Sequence, residues 1–183
     1  VLCARHLIGD EPFAVLLPDV LVLDKPSRPK NYSFVRLVEA WEASGVGQVM
    51  VERVGMDAVE SYGIADIASS DLEPFSSVEL RALVEKPSSE DAPSNLAVLG
   101  RYILPAKVLD LLAETSAGVG GEIQLTDALD ALIKTGRLNA FETDAAIFDC
   151  GNQQGFLGAN LAVGMRDAKS RAYLASLIKS LGI

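Results

Sequence analysis

An acid and a base stand side by side at Glu85-Lys86, delivered by the apolar residues Leu83 and Val84 and followed at once by Pro87. Proline cannot donate to a sheet ladder, and it biases the residue before it towards extended geometry. The pair is therefore expected at the carboxyl end of a strand, where ligands bind in open α/β sheets. Alone, it also fits a solvated strand end carrying a surface ion pair. Two more acids occupy comparable settings. Asp19 follows the apolar run Phe13-Ala14-Val15-Leu16-Leu17 and then Pro18, and Asp149 follows Ala145-Ala146-Ile147-Phe148. An aspartate after a strand is a common turn or cap residue. It is also a hard oxygen donor of the kind magnesium takes.

Other chemistries lack their residues. His6 is the only histidine and has no supporting motif, which leaves histidine acid–base catalysis and a Ser-His-Asp triad poorly founded. Cys3 and Cys150 make neither a disulfide framework nor a zinc spacing, so both are expected to be reduced, in keeping with a cytoplasmic location. Gly118, Gly120 and Gly121 cluster without the Lys-Ser/Thr of a P-loop and read as a plain loop. A net charge of −9 argues against a nucleic-acid partner, which would need a basic stripe. It does not argue against a small anion, which needs only a local Lys or Arg and a magnesium ion held by carboxylates. No apolar run reaches the roughly eighteen residues of a membrane span.

The elements that must position these residues follow from periodicity. With 183 residues, 49% of them apolar and 22% charged, one globular domain with a sizeable core is expected. Residues 13–17 read as a strand buried on both faces of a parallel sheet. Ser33 reads as the N-cap of a helix whose buried face is Phe34, Leu37, Val38 and Trp41, closed by Gly45. Residues 48–54 form the next strand. Residues 65–78 make a hairpin-like excursion that carries the strand reaching Glu85. Residues 96–104 lead to Pro105 and a helix with Val108, Leu109, Leu111 and Leu112 inside. Thr126 is expected to cap another helix, Gly136 to end it, and residues 140–143 and 145–148 to form short strands, the second presenting Asp149. Tyr173, Leu174, Leu177, Ile178 and Leu181 give the last helix its spacing.

Taken in order, Leu17-Pro18-Asp19-Val20, Leu83-Val84-Glu85-Lys86-Pro87, residues 92–102, Gly121-Glu122-Ile123-Gln124-Leu125-Thr126-Asp127-Ala128 and Phe148-Asp149-Cys150-Gly151-Asn152 resemble the sugar-nucleotide pyrophosphorylases. Within that group the chain is most similar to the bacterial UTP–glucose-1-phosphate uridylyltransferases, from about residue 9 to about residue 166. One part of the pattern is absent: the family opens with a glycine-rich strand–loop bearing a Thr-Arg pair, and this sequence begins at Val1 without it. The expectation is a fragment, or a partly ordered chain, whose N-terminal part is missing.

The resemblance implies an α/β fold with a Rossmann-like mixed, mainly parallel sheet flanked by helices, of the nucleotidyltransferase or GT-A-like kind. Residues 1–166 would be the C-terminal portion of a single domain holding the sugar and metal half of the site, and residues 167–183 a helix available for an oligomer contact. It implies that UTP and glucose 1-phosphate are joined to give UDP-glucose and pyrophosphate, with Mg2+ held by Asp19 and Asp149. Lys86 would neutralise the sugar phosphate, Glu85 would accept hydrogen bonds from sugar hydroxyls, and Gly63 would approach the sugar by its backbone. Glu122, Gln124 and Asp127 would fix the architecture around the sugar. Such enzymes are typically homo-oligomers. Thymidylyl or guanylyl transfer to another sugar 1-phosphate, or a sugar-phosphate-binding module without catalysis, are the alternatives.

Overall fold

The computed structural model describes residues 1–69, 72–115 and 125–182. The Gly118, Gly120 and Gly121 cluster and the Glu122 and Gln124 of the fourth motif lie outside them. The described elements in chain order are α1 (Arg5–Ile8), β1 (Phe13–Leu16), β2 (Val20–Leu23), α2 (Tyr32–Ser44), β3 (Gly47–Arg53), β4 (Gly63–Ile67), β5 (Ser77–Glu85), β6 (Leu96–Leu104), α3 (Lys107–Glu114), α4 (Leu125–Ile133), β7 (Leu138–Glu142), β8 (Ala146–Asp149), α5 (Gln153–Gly164) and α6 (Ala168–Ser180). They fall into two compact units. The larger comprises Val1–Leu16 and Ser33–Asp144, the smaller Leu17–Tyr32 and Ala145–Ile183.

The larger unit is built on a six-stranded sheet of order β1-β6-β3-β7-β5-β4, in which β4 also bridges to β6 at Ile64 and Ala97. Period-two alternation sends Val49 and Val51 of β3, Tyr102 and Leu104 of β6 and Ala140 of β7 into one apolar core. Val108, Leu109 and Leu112 of α3 and Leu129 and Leu132 of α4 pack there from their apolar stripes. The sheet is mixed and flanked by helices, as expected. It is not mainly parallel: among the described residues β3 and β7 pair in parallel, whereas β1–β6, β3–β6, β4–β5, β4–β6 and β5–β7 are antiparallel. The reason is that two strands run against the rest: β6 opposes β1, β3 and β4, and β5 opposes β4 and β7.

That placement also corrects the reading of residues 13–17. The strand stops at Leu16, pairs only at the sheet margin and alternates half-buried and exposed residues, so it is not buried on both faces. Two cap assignments shift as well. Helix α2 starts at Tyr32, which puts Ser33 inside it, where the Ser33 hydroxyl is fully buried and hydrogen-bonded to Thr143 at 2.8 Å. The described part of α4 starts at Leu125, so Thr126 lies within the helix. Gly45 does close α2, in the left-handed region at φ +67° with its N–H on the Trp41 carbonyl.

An ion pair ties the sheet internally. Arg53 donates to both carboxylate oxygens of Glu142, at 3.0 and 3.2 Å, and to the Leu72 carbonyl at 3.0 Å. Glu142 is only 5% exposed, so this fork satisfies a charge that water barely reaches.

The smaller unit is a two-stranded antiparallel ribbon of β2 and β8 followed by α5 and α6. Asn152 and Asp167 cap the two helices, accepting the N–H groups of Gly155 and Ser170. Arg166, between the helices, donates to the Asp24 carbonyl at the end of β2.

Candidate active site

The residues singled out in the sequence fall into two groups, one in each unit. In the larger unit, β4 and β5 form an antiparallel hairpin whose register sets Gly63 directly opposite Glu85. A Cβ on Gly63 would stand 3.2 Å from Glu85 Oε2 and 4.0 Å from Val98 Cβ. A side chain there would crowd the carboxylate, and glycine keeps it accessible. Glu85 and Lys86 are both exposed, at the end of β5 and just past it, while Pro87 behind them is buried.

Lys86 does not take the extended geometry expected before proline. Its φ is +47°, in the left-handed region, and its N–H donates to the Tyr62 carbonyl at 3.0 Å. The residue makes the last ladder bond of the hairpin and turns the chain out of the sheet in one step. Pro87 has no N–H with which to extend the ladder further. A left-handed non-glycine residue stores of order 1–3 kcal/mol of strain, held by its surroundings.

Tyr102 adds a neighbour that sequence reasoning missed. It is 7% exposed, and burial first, then the charge of Glu85, push its phenol up to about 12. It remains a neutral hydroxyl whose environment registers the Glu85 carboxylate. Its position seven residues after Asn95 gave no sign of this, because strand pairing and not sequence separation sets the distance from β6 to the end of β5.

In the smaller unit the ribbon brings the two aspartates to one end. Val20 pairs with Asp149, and the Cys150 N–H donates to the Asp19 carbonyl at 2.6 Å. Both carboxylates turn towards Gly151: a Cβ there would lie 3.0 Å from Asp149 Oδ1 and 3.4 Å from Asp19 Oδ2. Asp149 is fixed at both oxygens. Gly151 N–H donates to Oδ1 and the Asn152 amide to Oδ2, each at 2.9 Å. Cys150 is half-buried, its thiol 3.8 Å from the Phe148 carbonyl, so it is less enclosed than a core thiol.

Two carboxylates with spare lone pairs suit magnesium, which prefers oxygen and is commonly held by one or two carboxylates with substrate phosphates and water completing its shell. Among the described residues no group of three His, Cys, Asp or Glu side chains converges, as a closed all-protein metal centre would require. The acid pair offers two of the oxygen donors that such an ion takes.

The family model for nucleotidyl transferases matches residues 1–165. The UTP–glucose-1-phosphate uridylyltransferase of Haemophilus influenzae is 44% identical over 99% of this chain and 61% of its own length. The enzyme of that name from Escherichia coli K12 is 40% identical over 100% and 60%. A UTP-bound UGPase from Acinetobacter baumannii superposes with a TM-score of 0.86 at 40% identity, covering 98% of this chain and 60% of that one. A UDP-glucose pyrophosphorylase complexed with UDP-glucose gives 0.81 at 36%, over 91% and 61%. The chain thus spans about three fifths of the length of the curated relatives it matches. Its fold and nine-tenths of its sequence answer to one description, and the chain belongs to the nucleotidyl transferase family.

Proposed function

We propose that this protein joins UTP to glucose 1-phosphate, giving UDP-glucose and pyrophosphate. The observation that carries the reading is a likeness to a uridylyltransferase that runs over 99% of the chain, through both the Gly63–Glu85 pair and the Asp19–Asp149 pair.

In this reaction a phosphate oxygen of glucose 1-phosphate attacks the α-phosphorus of UTP in line. A new P–O bond forms there as the bond to the departing pyrophosphate breaks. The attacking oxygen is already anionic near neutral pH, so the chain need supply neither a covalent nucleophile nor a strong base. The difficulty is mutual repulsion between polyanions, which is answered by positioning and fixed charge. A magnesium ion, when bound, screens the phosphates and stabilises charge on the transferring group.

Asp19 and Asp149 would hold that ion, with Asp149 already oriented by Gly151 and Asn152. Lys86 would meet the sugar phosphate as a point charge from an exposed, left-handed turn just past the end of β5. Glu85 would accept hydrogen bonds from sugar hydroxyls across the open face of Gly63. A homo-oligomer in the cytoplasm is the matching setting.

Pyrophosphate release by the complete protein, with Mg2+, glucose 1-phosphate and each of UTP, dTTP and GTP, tests the proposal. Turnover preferring UTP is expected. Preference for dTTP or GTP would move the base assignment, and no turnover with any triphosphate would leave a sugar-phosphate-binding module.

A further inference from the structure

We propose that Asn152 is the positioning residue of Asp149, its one side chain linking the acid to the first turn of α5. This rests on the reading of Asp149 as a magnesium-holding acid. The orientation of the Asn152 amide is fixed by its two partners. The Gly155 N–H can only donate, and it does so to Oδ1 at 2.8 Å; the Asp149 carboxylate can only accept, and it takes Nδ2 at 2.9 Å. The same residue therefore closes the helix cap and holds the acid. The backbone on either side is equally determined, because a Cβ on Gly155 would come within 1.9 Å of the Asp149 carbonyl oxygen. Helix α5 thus begins in direct contact with the residue it orients. Asn152 is itself exposed, so burial does not account for the choice of an amide.

A cap alone would not require asparagine. Aspartate caps about as well as asparagine, but its carboxylate has no donor to offer Asp149 and so cannot bridge that acid to the Gly155 N–H. Groups that orient metal ligands typically change metal affinity by roughly 10–100-fold when replaced.

The test separates the bond from the metal. In metal-free complete protein, the denaturation midpoints of N152D, D149N and the double variant form a cycle. N152D keeps the cap acceptor and sets two carboxylates face to face, so its midpoint falls. In the double variant the amide and the carboxylate have exchanged places, so the bond re-forms with its direction reversed, and the midpoint recovers. Mn2+ titration followed by electron paramagnetic resonance then reads the site directly, with N152A, which removes the bridge without adding charge, expected to bind Mn2+ roughly 10–100-fold more weakly than the wild type.

An additive cycle, or Mn2+ binding by N152A that is unchanged or tighter, would overturn the positioning role. A wild type that binds no Mn2+ even with UTP present would instead remove the magnesium reading of Asp149, and this inference with it.

Discussion

Lys86 combines an exposed positive charge with a backbone conformation that lysine does not favour. Strain of this kind persists where the surrounding structure over-determines it, and such positions concentrate at ligand sites. The two properties separate by substitution. Lys86→Ala removes the charge and keeps the left-handed strain, whereas Lys86→Gly removes both. The glycine variant should be the more stable of the two by about 1 kcal/mol in chemical denaturation, the relief of a Cβ clash outweighing the extra chain entropy. Both should raise the KM for glucose 1-phosphate by roughly tenfold or more, the scale of a hydrogen bond to a charged group. A glycine variant with unchanged KM would remove Lys86 from the sugar-phosphate role. Glu52 makes a separate, pH-linked statement. Burial pushes its carboxyl up from 4.5 to about 7. Because the folded state holds this proton more tightly than the unfolded chain, its contribution is fully present below about pH 4.5 and is lost as the pH rises towards 7. Glu52→Gln cannot titrate, so its denaturation midpoint relative to the wild type should climb between those limits and then level off. A difference that stays flat across this window would show that Glu52 is solvated in the folded state.

Elements set what those residues can reach. The β4–β5 register alone brings Gly63 to Glu85, and the β2–β8 ribbon alone brings Asp19 to Asp149 from 130 positions away in sequence. The start of α5 is the tightest of these joints. Gly155→Ala would drive a methyl group into the Asp149 carbonyl, and helix and strand end must part to admit it. We expect a loss of about 1–3 kcal/mol, the cost of overpacking, together with weaker magnesium dependence of turnover; an alanine variant as stable as the wild type would show that α5 can slide freely. Most of this architecture was legible in the sequence. Apolar runs pointed to β3 and β5, helical spacing to α2, α3 and α4, and strand-end acids to the candidate site, whereas residues 96–104 were expected only to lead to Pro105 and not as strand β6. What sequence could not supply was decided by tertiary partners. Ser33 has the composition of a cap, yet Thr143 draws it into the interior. Pro87 predicts an extended Lys86, yet the Tyr62 carbonyl and the need to leave the sheet turn it left-handed. The apolar run at residues 13–17 looks like a central parallel strand because hydrophobicity reports burial capacity and says nothing of which neighbour arrives. Asn152 stands in sequence only as the last residue of the fifth motif, and its bond to Asp149 depends on an amide orientation that only the folded loop defines.

At the scale of the whole molecule, burial is unevenly shared between the two units, and local stability should follow it. The larger unit encloses Val49, Met50, Val51, Leu104, Leu109 and Phe141 at 1% exposure or less. Helix α6 buries no residue, and Tyr173, Leu177 and Ile178 on it stand 66%, 38% and 46% exposed, while Phe156 and Leu157 of α5 reach 59% and 68%. Amides open with free energies that range from near zero where apolar contacts are few up to the global value in the core. Helix α6 has a sound N-cap in Asp167, and the Ser170 backbone N–H holds that carboxyl below its usual range, so the helix is locally well started. A cap contributes only about 1 kcal/mol, far less than the burial of several large side chains, at about 1.5–3 kcal/mol each. Hydrogen–deuterium exchange read by mass spectrometry should therefore find the amides of β3, β6 and β7 the last to exchange and those of α6 among the first, the two classes separated by at least about a hundredfold in rate, some 2.7 kcal/mol of opening free energy. The measurement also decides what the exposed apolar side chains are doing. If α6 exchanges as slowly as β3 in the native protein, its apolar side is covered there, and dilution should then accelerate exchange if the cover is a second copy and leave it unchanged if the cover belongs to the same polypeptide.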